Sequence, residues 1–266
     1  MDIEDTKLYT SGKAYFEGPD GMNNEVTMWY VAAGLLMREV AKRKGGLPFG
    51  GLGDTAGYTI KPGAEDSIDL LDLCSGPGNF ANHLSFVFPW LHITCVDKNK
   101  TLLDAGRALF HQWTFIQQDV TALHLEKTFD CVTASSAYHH MKDPQKLSFL
   151  GTIKKHLAKN GFAIICENFL PAYGNKREKL KAIGHYYREL KKYYRNGNAT
   201  RNSMKAIDEV RQLERAGVEE YKVSYSFFEN QLAKSGLSIE SDVIVWQPDS
   251  FKSSNAGSHV LVLTRG

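Results

Sequence analysis

A chain of 266 residues, 42% hydrophobic and 23% charged, with a formal net charge of +2, has the make-up of an ordinary globular protein large enough for one sizeable core. So small a charge excludes nucleic-acid binding driven by the whole molecule and leaves room only for a local basic surface. The opening MDIEDTKLYTSGK is polar and acidic where a secretory leader is cationic and then apolar, and no apolar run approaches the roughly 18 residues of a membrane span, so the expected compartment is the cytoplasm.

In chain order, the first predicted element is a helix from about Glu25 to Lys44, with Asn23 and Asn24 available as caps and Gly45 and Gly46 at its basic end. The glycine-rich GGLPFGGLGDTAGYTIKPGAED that follows has no apolar periodicity and reads either as a flexible connection or as a mobile lid. Residues 1–66 are therefore expected to form a helical lid and linker, and residues 67–266 the core. From Ile68 the apolar runs IDLLDLC, HITCVD, FIQQD, FDCVTAS and FAIICEN alternate with helical stretches. The clearest helix runs from Asp143 to Asn160, with Asp143 as cap, Pro144 in the first turn and Gly161 as terminator. Parallel strands covered on both faces read as near-continuous apolar runs, so the expected architecture is α/β, a doubly wound sheet. A polar, helix-prone insertion over about 172–222 precedes a helix at Phe227 to Ser235 and two strands, LSIESDVIVWQ and SHVLVLTR. The gap between those strands is short for a parallel crossover, which predicts an antiparallel pair. Cys74, Cys95, Cys131 and Cys166 lack C-x-x-C spacing and read as reduced, buried small hydrophobes.

The stretch DLLDLCSGPGNF carries most of the chemistry. Gly76-Pro77-Gly78-Asn79-Phe80-Ala81 fits G-x-G-x-x-[GA], which alone is compatible with a dinucleotide. Asp72, at the mouth of the first strand, discriminates. A carboxylate there repels a pyrophosphate but attracts an ammonium and a sulfonium, by roughly 4 kcal/mol per pair at ~4 Å and an effective dielectric near 20. Asp97 ends the second strand nineteen residues past Gly78, a spacing suited to ribose hydroxyls, and Asp119 in Gln118-Asp119-Val120 is placed to accept an adenine amine. Each has a plainer reading: Asp72 as a turn or helix cap, Asp97 as an Asx turn, Asp119 as a solvated loop residue.

These residues resemble the class I S-adenosylmethionine-dependent methyltransferases. LDLCSGPGNF is similar to their D-x-G-x-G-x-G motif, CVDKN to the acidic second-strand motif, QQDV to the third, and FDCVTASSAYHHMKDP to the fourth-strand segment. The resemblance implies a seven-stranded Rossmann-like sheet with an antiparallel last strand. It implies S-adenosylmethionine as cofactor, held by Asp72, Cys74, Gly76, Gly78, Asp97, Lys98, Gln118, Asp119, Val120 and Ser135. Cys74 departs from the pattern, standing at the family's first glycine.

Methyl transfer from a sulfonium needs alignment of a nucleophile, exclusion of water and, where the nucleophile carries one, removal of a proton. Tyr138, His139 and His140 follow the fourth strand and are the candidate catalytic groups, with packing or capping as the alternative for the histidines. Ser135-Ser136-Ala137-Tyr138 lacks the two prolines of exocyclic-amine methyltransferases. Ser135 and Ser136 are poor ligands for a hard cation, so no metal is expected. The insertion interleaves Lys176, Arg177, Lys179, Lys181, Arg188, Lys191, Lys192, Arg195, Arg201 and Lys205 with Tyr186, Tyr187, Tyr193 and Tyr194. It reads as an amphipathic helix packed on the sheet, as a cap over a small-molecule pocket, or as an RNA-binding surface. The expected activity is methyl transfer to a small molecule, acidic or aromatic. An RNA methyltransferase, an adenosyl-binding protein of other chemistry or a scaffold, and a nicotinamide enzyme remain as alternatives.

Overall fold

The computed structural model describes residues 23–44, 67–197 and 200–266; the linker expected over residues 45–66 lies outside them. Seven strands form one sheet: β1 (Ile68–Leu73), β2 (Leu91–Asp97), β3 (Thr114–Gln117), β4 (Phe129–Ser135), β5 (Leu157–Phe169), β6 (Leu237–Trp246) and β7 (Gly257–Arg265). Their order is β3-β2-β1-β4-β5-β7-β6. The first five are parallel, and β7 runs antiparallel to both β5 and β6, as the short gap after Trp246 predicts. Chain order reverses between β1 and β4, and ligands of open α/β sheets bind at the carboxyl ends of the strands beside such a switch.

On one face of the sheet α1 (Asn23–Lys44) and α2 (Asn79–Val87) contribute Met28, Ala32, Leu36, Phe80 and Leu84 to a cluster with Leu70, Cys95, Cys131, Cys166 and Val262. On the other, α4 (Asp143–His156) and α7 (Tyr225–Ser235) pack Phe149, Ile153, Phe228 and Leu232 against Leu71, Val132, Ile165 and Leu261. Each such aliphatic or aromatic side chain contributes about 1.5–3 kcal/mol when removed from water. Packing therefore outweighs the ion pairs Arg43–Glu240 and Lys42–Glu240 that tie α1 to β6, since exposed pairs are each worth at most about 1 kcal/mol. Three of the four cysteines are buried and all four are free thiols, in keeping with their reading as small hydrophobes.

Three boundaries differ from expectation. α4 stops at His156, not Asn160, because the chain enters β5 directly. Gly161 lies inside that strand beside a bulge, where a Cβ would meet the Phe129 carbonyl at 2.9 Å. Asp143 is the first helical residue of α4, and Gln145 Oε1 accepts the Lys142 N–H at 3.3 Å, so Asp143 supplies first-turn charge and not the cap. Asn24 is buried within α1 and its side chain donates to Ser258 Oγ at 3.1 Å and accepts from the Tyr194 hydroxyl, fastening α1 to β7 and to the insertion. Among the described residues no helix is long and apolar enough to cross a membrane.

Candidate functional site

The turn after β1 is built from left-handed backbone. Cys74 has φ 54°, Gly76 54° and Gly78 95°, which swings the chain from strand into α2. Glycine adopts this region freely, whereas Cys74 bears a cost of about 1–2 kcal/mol. The turn thus forms with cysteine at the first position, but under strain. Gly106, in α3 (Lys100–Leu109), supports it from below. A Cβ there would lie 2.6 Å from both the Pro77 carbonyl and the Phe115 ring, so only glycine lets α3 approach. Its one sequence signal is a glycine inside a helical pattern.

Three acidic residues stand at successive strand ends, in different states. Asp72 is 1% exposed. Its Oδ1 accepts the Thr133 hydroxyl at 2.8 Å, and its Oδ2 is buried with no hydrogen-bond partner. Burial pushes this carboxyl from its ordinary 3.8 up to about 7, with the Thr133 hydrogen bond opposing and the Asp97 charge adding to the rise. Asp97 accepts the Gly76 N–H at 2.9 Å through Oδ2 and the Asn99 N–H at 2.8 Å through Oδ1, so it holds the glycine turn and makes an Asx turn in addition to any ribose contact. Burial raises its pKa as well. Asp119 is exposed, and its Oδ1 accepts from Thr121 N (2.8 Å) and Thr121 Oγ1 (2.7 Å), capping a 3₁₀ turn at Val120–Ala122. Gln118 N–H donates to the Asp97 carbonyl at 3.0 Å, which ties the third strand end to the second. The Val120 side chain is buried in the core below, and its carbonyl accepts the Thr152 hydroxyl at 2.8 Å. Lys98 is exposed.

A cavity of about 280 Å³, counted with its open mouth, is lined by Glu25, Trp29, Asp72, Cys74, Ser75, Asn79, Phe80 and Ser135. It collects the first-strand acid, the glycine turn, Ser135 and one end of α1. Ser135 Oγ accepts the Trp29 indole N–H at 2.8 Å, anchoring that helix over the pocket. Asp97, Gln118, Asp119 and Val120 lie along the same edge without lining this cavity.

Of the three residues after β4, Tyr138 does not face the pocket. Its ring is 1% exposed and packed against Phe149 and Phe228, with the Lys146 ammonium 4.7 Å from the ring centroid, and its hydroxyl is buried without a partner. Burial raises its pKa, so it is removed from the candidate catalytic groups as a core residue. His139 is 5% exposed, and its Nδ1 meets Glu167 Oε1 at 2.5 Å while its Nε2 lies 3.7 Å from Glu220 Oε2. Burial, then the Lys222 charge, hold this imidazole well below its usual pKa, in the neutral form. His140 places Nδ1 2.8 Å from the Glu219 carbonyl and its ring against His139, centroids 4.4 Å apart.

Glu25, Glu167 and Glu220 complete this region and were missed from the sequence. They come from α1, from the end of β5 and from the loop after α6 (Arg201–Ala216), and no local pattern links them. Glu25 lines the cavity beside Asp72. Burial raises its pKa against a Ser136 hydrogen bond and the His140 charge, with Glu167 and Glu220 near enough to add to the rise. Glu220 is also buried, yet the adjoining Lys222 ammonium holds its pKa down at about 2.

The insertion forms α5 (Lys176–Asn196) and α6. Tyr186, Tyr187 and Tyr194 are buried with Leu190, Ile207, Trp246 and Phe251, so they are packing residues and are closed to base stacking. Lys191 pairs with Asp208, Lys192 with Glu189 at 2.6 Å and Lys205 with Glu209 at 3.6 Å. Tyr187 donates to Glu214 Oε2 at 2.7 Å and receives Lys222 Nζ at 3.3 Å, joining α5 to the charged cluster.

Residues 70–161 match the family model of the methyltransferase domain. A malonyl-(acyl-carrier protein) O-methyltransferase of Bacillus anthracis is 26% identical over 103 residues, 38% of this chain and 38% of that protein. A trans-aconitate 2-methyltransferase of an Enterobacter species is 33% identical over 79 residues, 30% of this chain and 31% of that protein. The match therefore spans well under half the length of these curated relatives. In fold, the structure of PKMT2 from Rickettsia typhi in complex with AdoHcy superposes with a TM-score of 0.53 at 17% identity, covering 75% of this chain and 49% of that one. With the glycine turn, the acidic strand ends and this sheet order together, residues 70–161 are similar to the methyltransferase domain and the chain shares the fold of that solved neighbour.

Proposed function

We propose that the chain transfers the methyl group of S-adenosylmethionine to a small-molecule acceptor. The observation that carries this reading is Asp72 Oδ2, a buried carboxylate oxygen without a partner in the wall of a cavity that the glycine turn also lines. An unpaired buried carboxylate is costly, and a cationic ligand is what satisfies it. The residues fit the cofactor: Asp72 for its ammonium, the backbone of Cys74 to Gly78 for its close approach, Asp97 for the ribose, and Gln118, Asp119 and Val120 for the adenine, with Lys98 and Ser135 flanking. When bound, the sulfonium supplies an already activated methyl group.

The chain's own work is then positioning and water exclusion. Trp29 and Glu25 close the α1 side of the cavity, and α5 and α6 stand over the ends of β5 and β6, which supports a cap role for the insertion. His139 and His140 remain the proposed acceptors of a substrate proton, with Glu167 orienting His139. The small-molecule reading is supported by the acceptors named for the two curated relatives and by the burial of three of the insertion's four interleaved tyrosines, Tyr186, Tyr187 and Tyr194, which are closed to stacking on RNA. The test is release of S-adenosylhomocysteine from S-adenosylmethionine with a panel of small carboxylic acids and phenols, run beside bulk RNA. Release with the panel and none with RNA supports the proposal; release with RNA alone overturns it.

A further inference from the structure

Beside the cofactor cavity, one ligand atom each of His139, His140 and Glu220 lie within 4.8 Å of one another. We infer that these three side chains form a binding site for a first-row divalent cation of the zinc type. The inference does not depend on the methyl-transfer reading, because it rests on how the two imidazoles are held.

Both rings are fixed through Nδ1. The Glu219 acceptor is a backbone carbonyl, which cannot donate, so His140 donates to it from Nδ1. Glu167 acts as an acceptor throughout: Oε1 takes the Asn168 N–H at 2.7 Å, Oε2 takes the His139 backbone N–H at 3.2 Å, and Oε1 stands 2.5 Å from His139 Nδ1. With Nδ1 held by Glu167, His139 turns Nε2 to the side where Glu220 Oε2 lies 3.7 Å away. A carboxylate and a carbonyl holding the remote nitrogens is the outer support that metal-ligating histidines almost always have. Glu219, which supplies the carbonyl, has φ 63°, a left-handed conformation that a glutamate adopts at a cost and that aims this carbonyl at His140.

Spacing and charge agree with a cation. Ligands of a tetrahedral zinc-type ion with bonds of about 2.0–2.1 Å stand about 3.4 Å apart, so His139 Nε2 and Glu220 Oε2, 3.7 Å apart, are nearly at that separation, and the three atoms, all within 4.8 Å of one another, need to close by at most about 1.4 Å. Four buried or half-buried carboxylates, Glu25, Glu167, Glu214 and Glu220, gather here around Lys222 and Lys146. Lys222 now pairs with Glu220 but has Glu214 Oε2 at 3.5 Å as a second partner, so its ammonium can yield one Glu220 oxygen to an ion. Two imidazole nitrogens and one carboxylate suit zinc and its neighbours and leave a fourth position open. Glu25, which lines the cofactor cavity, is near enough to feel the charges of His140 and Glu220. An acceptor oxygen bound at the open position would be acidified by the ion, and the histidines would then hold the ion in place of taking the proton. The expectation of no metal considered Ser135 and Ser136 alone; the proposed site adds His139 and His140 from the turn after β4 and Glu220 from the loop after α6.

The test uses the full chain stripped with EDTA, reloaded with Zn²⁺ or Co²⁺, desalted, and assayed for bound metal by mass spectrometry and for Co²⁺ by visible absorption. The expected result is about one equivalent, with the intense bands of a low-coordinate nitrogen and oxygen site. His140→Ala and Glu220→Gln should each weaken retention at least roughly tenfold with an unchanged circular dichroism spectrum. Glu167→Gln keeps all three ligands and should weaken it by about 10- to 100-fold. No stoichiometric metal in the wild-type chain overturns the assignment, as does metal retained equally by all three variants.

Discussion

Asp72→Asn tests the physical core of the cofactor site. In the free protein the carboxyl ionises only near pH 7, whereas in the unfolded chain it ionises near 3.8, because burial penalises the charge. Between those values the folded state holds a proton that the unfolded state has released, so rising pH destabilises the fold; the penalty is absent below about pH 4 and complete above about pH 8. At 1.36 kcal/mol per pH unit the displacement amounts to about 4 kcal/mol. Asparagine cannot ionise, so urea titrations of the variant should lack this fall, although a buried amide N–H in place of Oδ2 adds a pH-independent cost of about 1–3 kcal/mol. Saturating S-adenosylmethionine should erase much of the wild-type fall, since its ammonium stabilises the ionised form, and the variant should bind it about 1.5–3 kcal/mol more weakly, roughly ten- to a hundredfold. Parallel stability profiles for the two proteins from pH 5 to 8, together with equal affinity by calorimetry, would refute the assignment of Asp72 as the cation's partner.

Asp97→Ala removes the acceptor of both the Gly76 and the Asn99 N–H groups, so it should lower stability by about 2–4 kcal/mol as well as weaken S-adenosylmethionine binding; unchanged unfolding midpoints would show that the turn does not depend on it. Gly106→Ala should weaken cofactor binding without touching the ligand, because a methyl at 2.6 Å from the Pro77 carbonyl must displace the turn, and calorimetry with an intact circular dichroism spectrum would detect it. Tyr186→Ala should cost about 3–5 kcal/mol in thermal or urea unfolding, as for other buried aromatic truncations, since its ring packs on Trp246 and Phe251. A loss below about 1 kcal/mol would mean that the insertion is separable from the core. Deletion of residues 176–205 is accordingly expected to unfold the sheet edge, and it does not serve as a test of the cap.

What the sequence determined by itself was local. Buried parallel strands must be apolar on both faces, so IDLLDL, HITCVD and FDCVTAS announced a doubly wound sheet, and a short Ser, Asn and Gly-rich gap after Trp246 required an antiparallel close. The left-handed turn was legible from Gly76 and Gly78, and the acids from their place at strand ends. Tertiary structure decided the rest, because burial and long-range approach leave no periodic trace. Tyr138 and His139 are adjacent in sequence yet one is core and the other meets Glu167 and Glu220, twenty-eight and eighty-one residues away. Asp97 and Asp119 turned out to hold backbone, since carboxylates at a turn accept whichever N–H groups the neighbouring loop presents. The tyrosines of α5 could be placed by pattern on one helical face, but that Tyr186 packs on Trp246 and Phe251 follows from where the sheet ends.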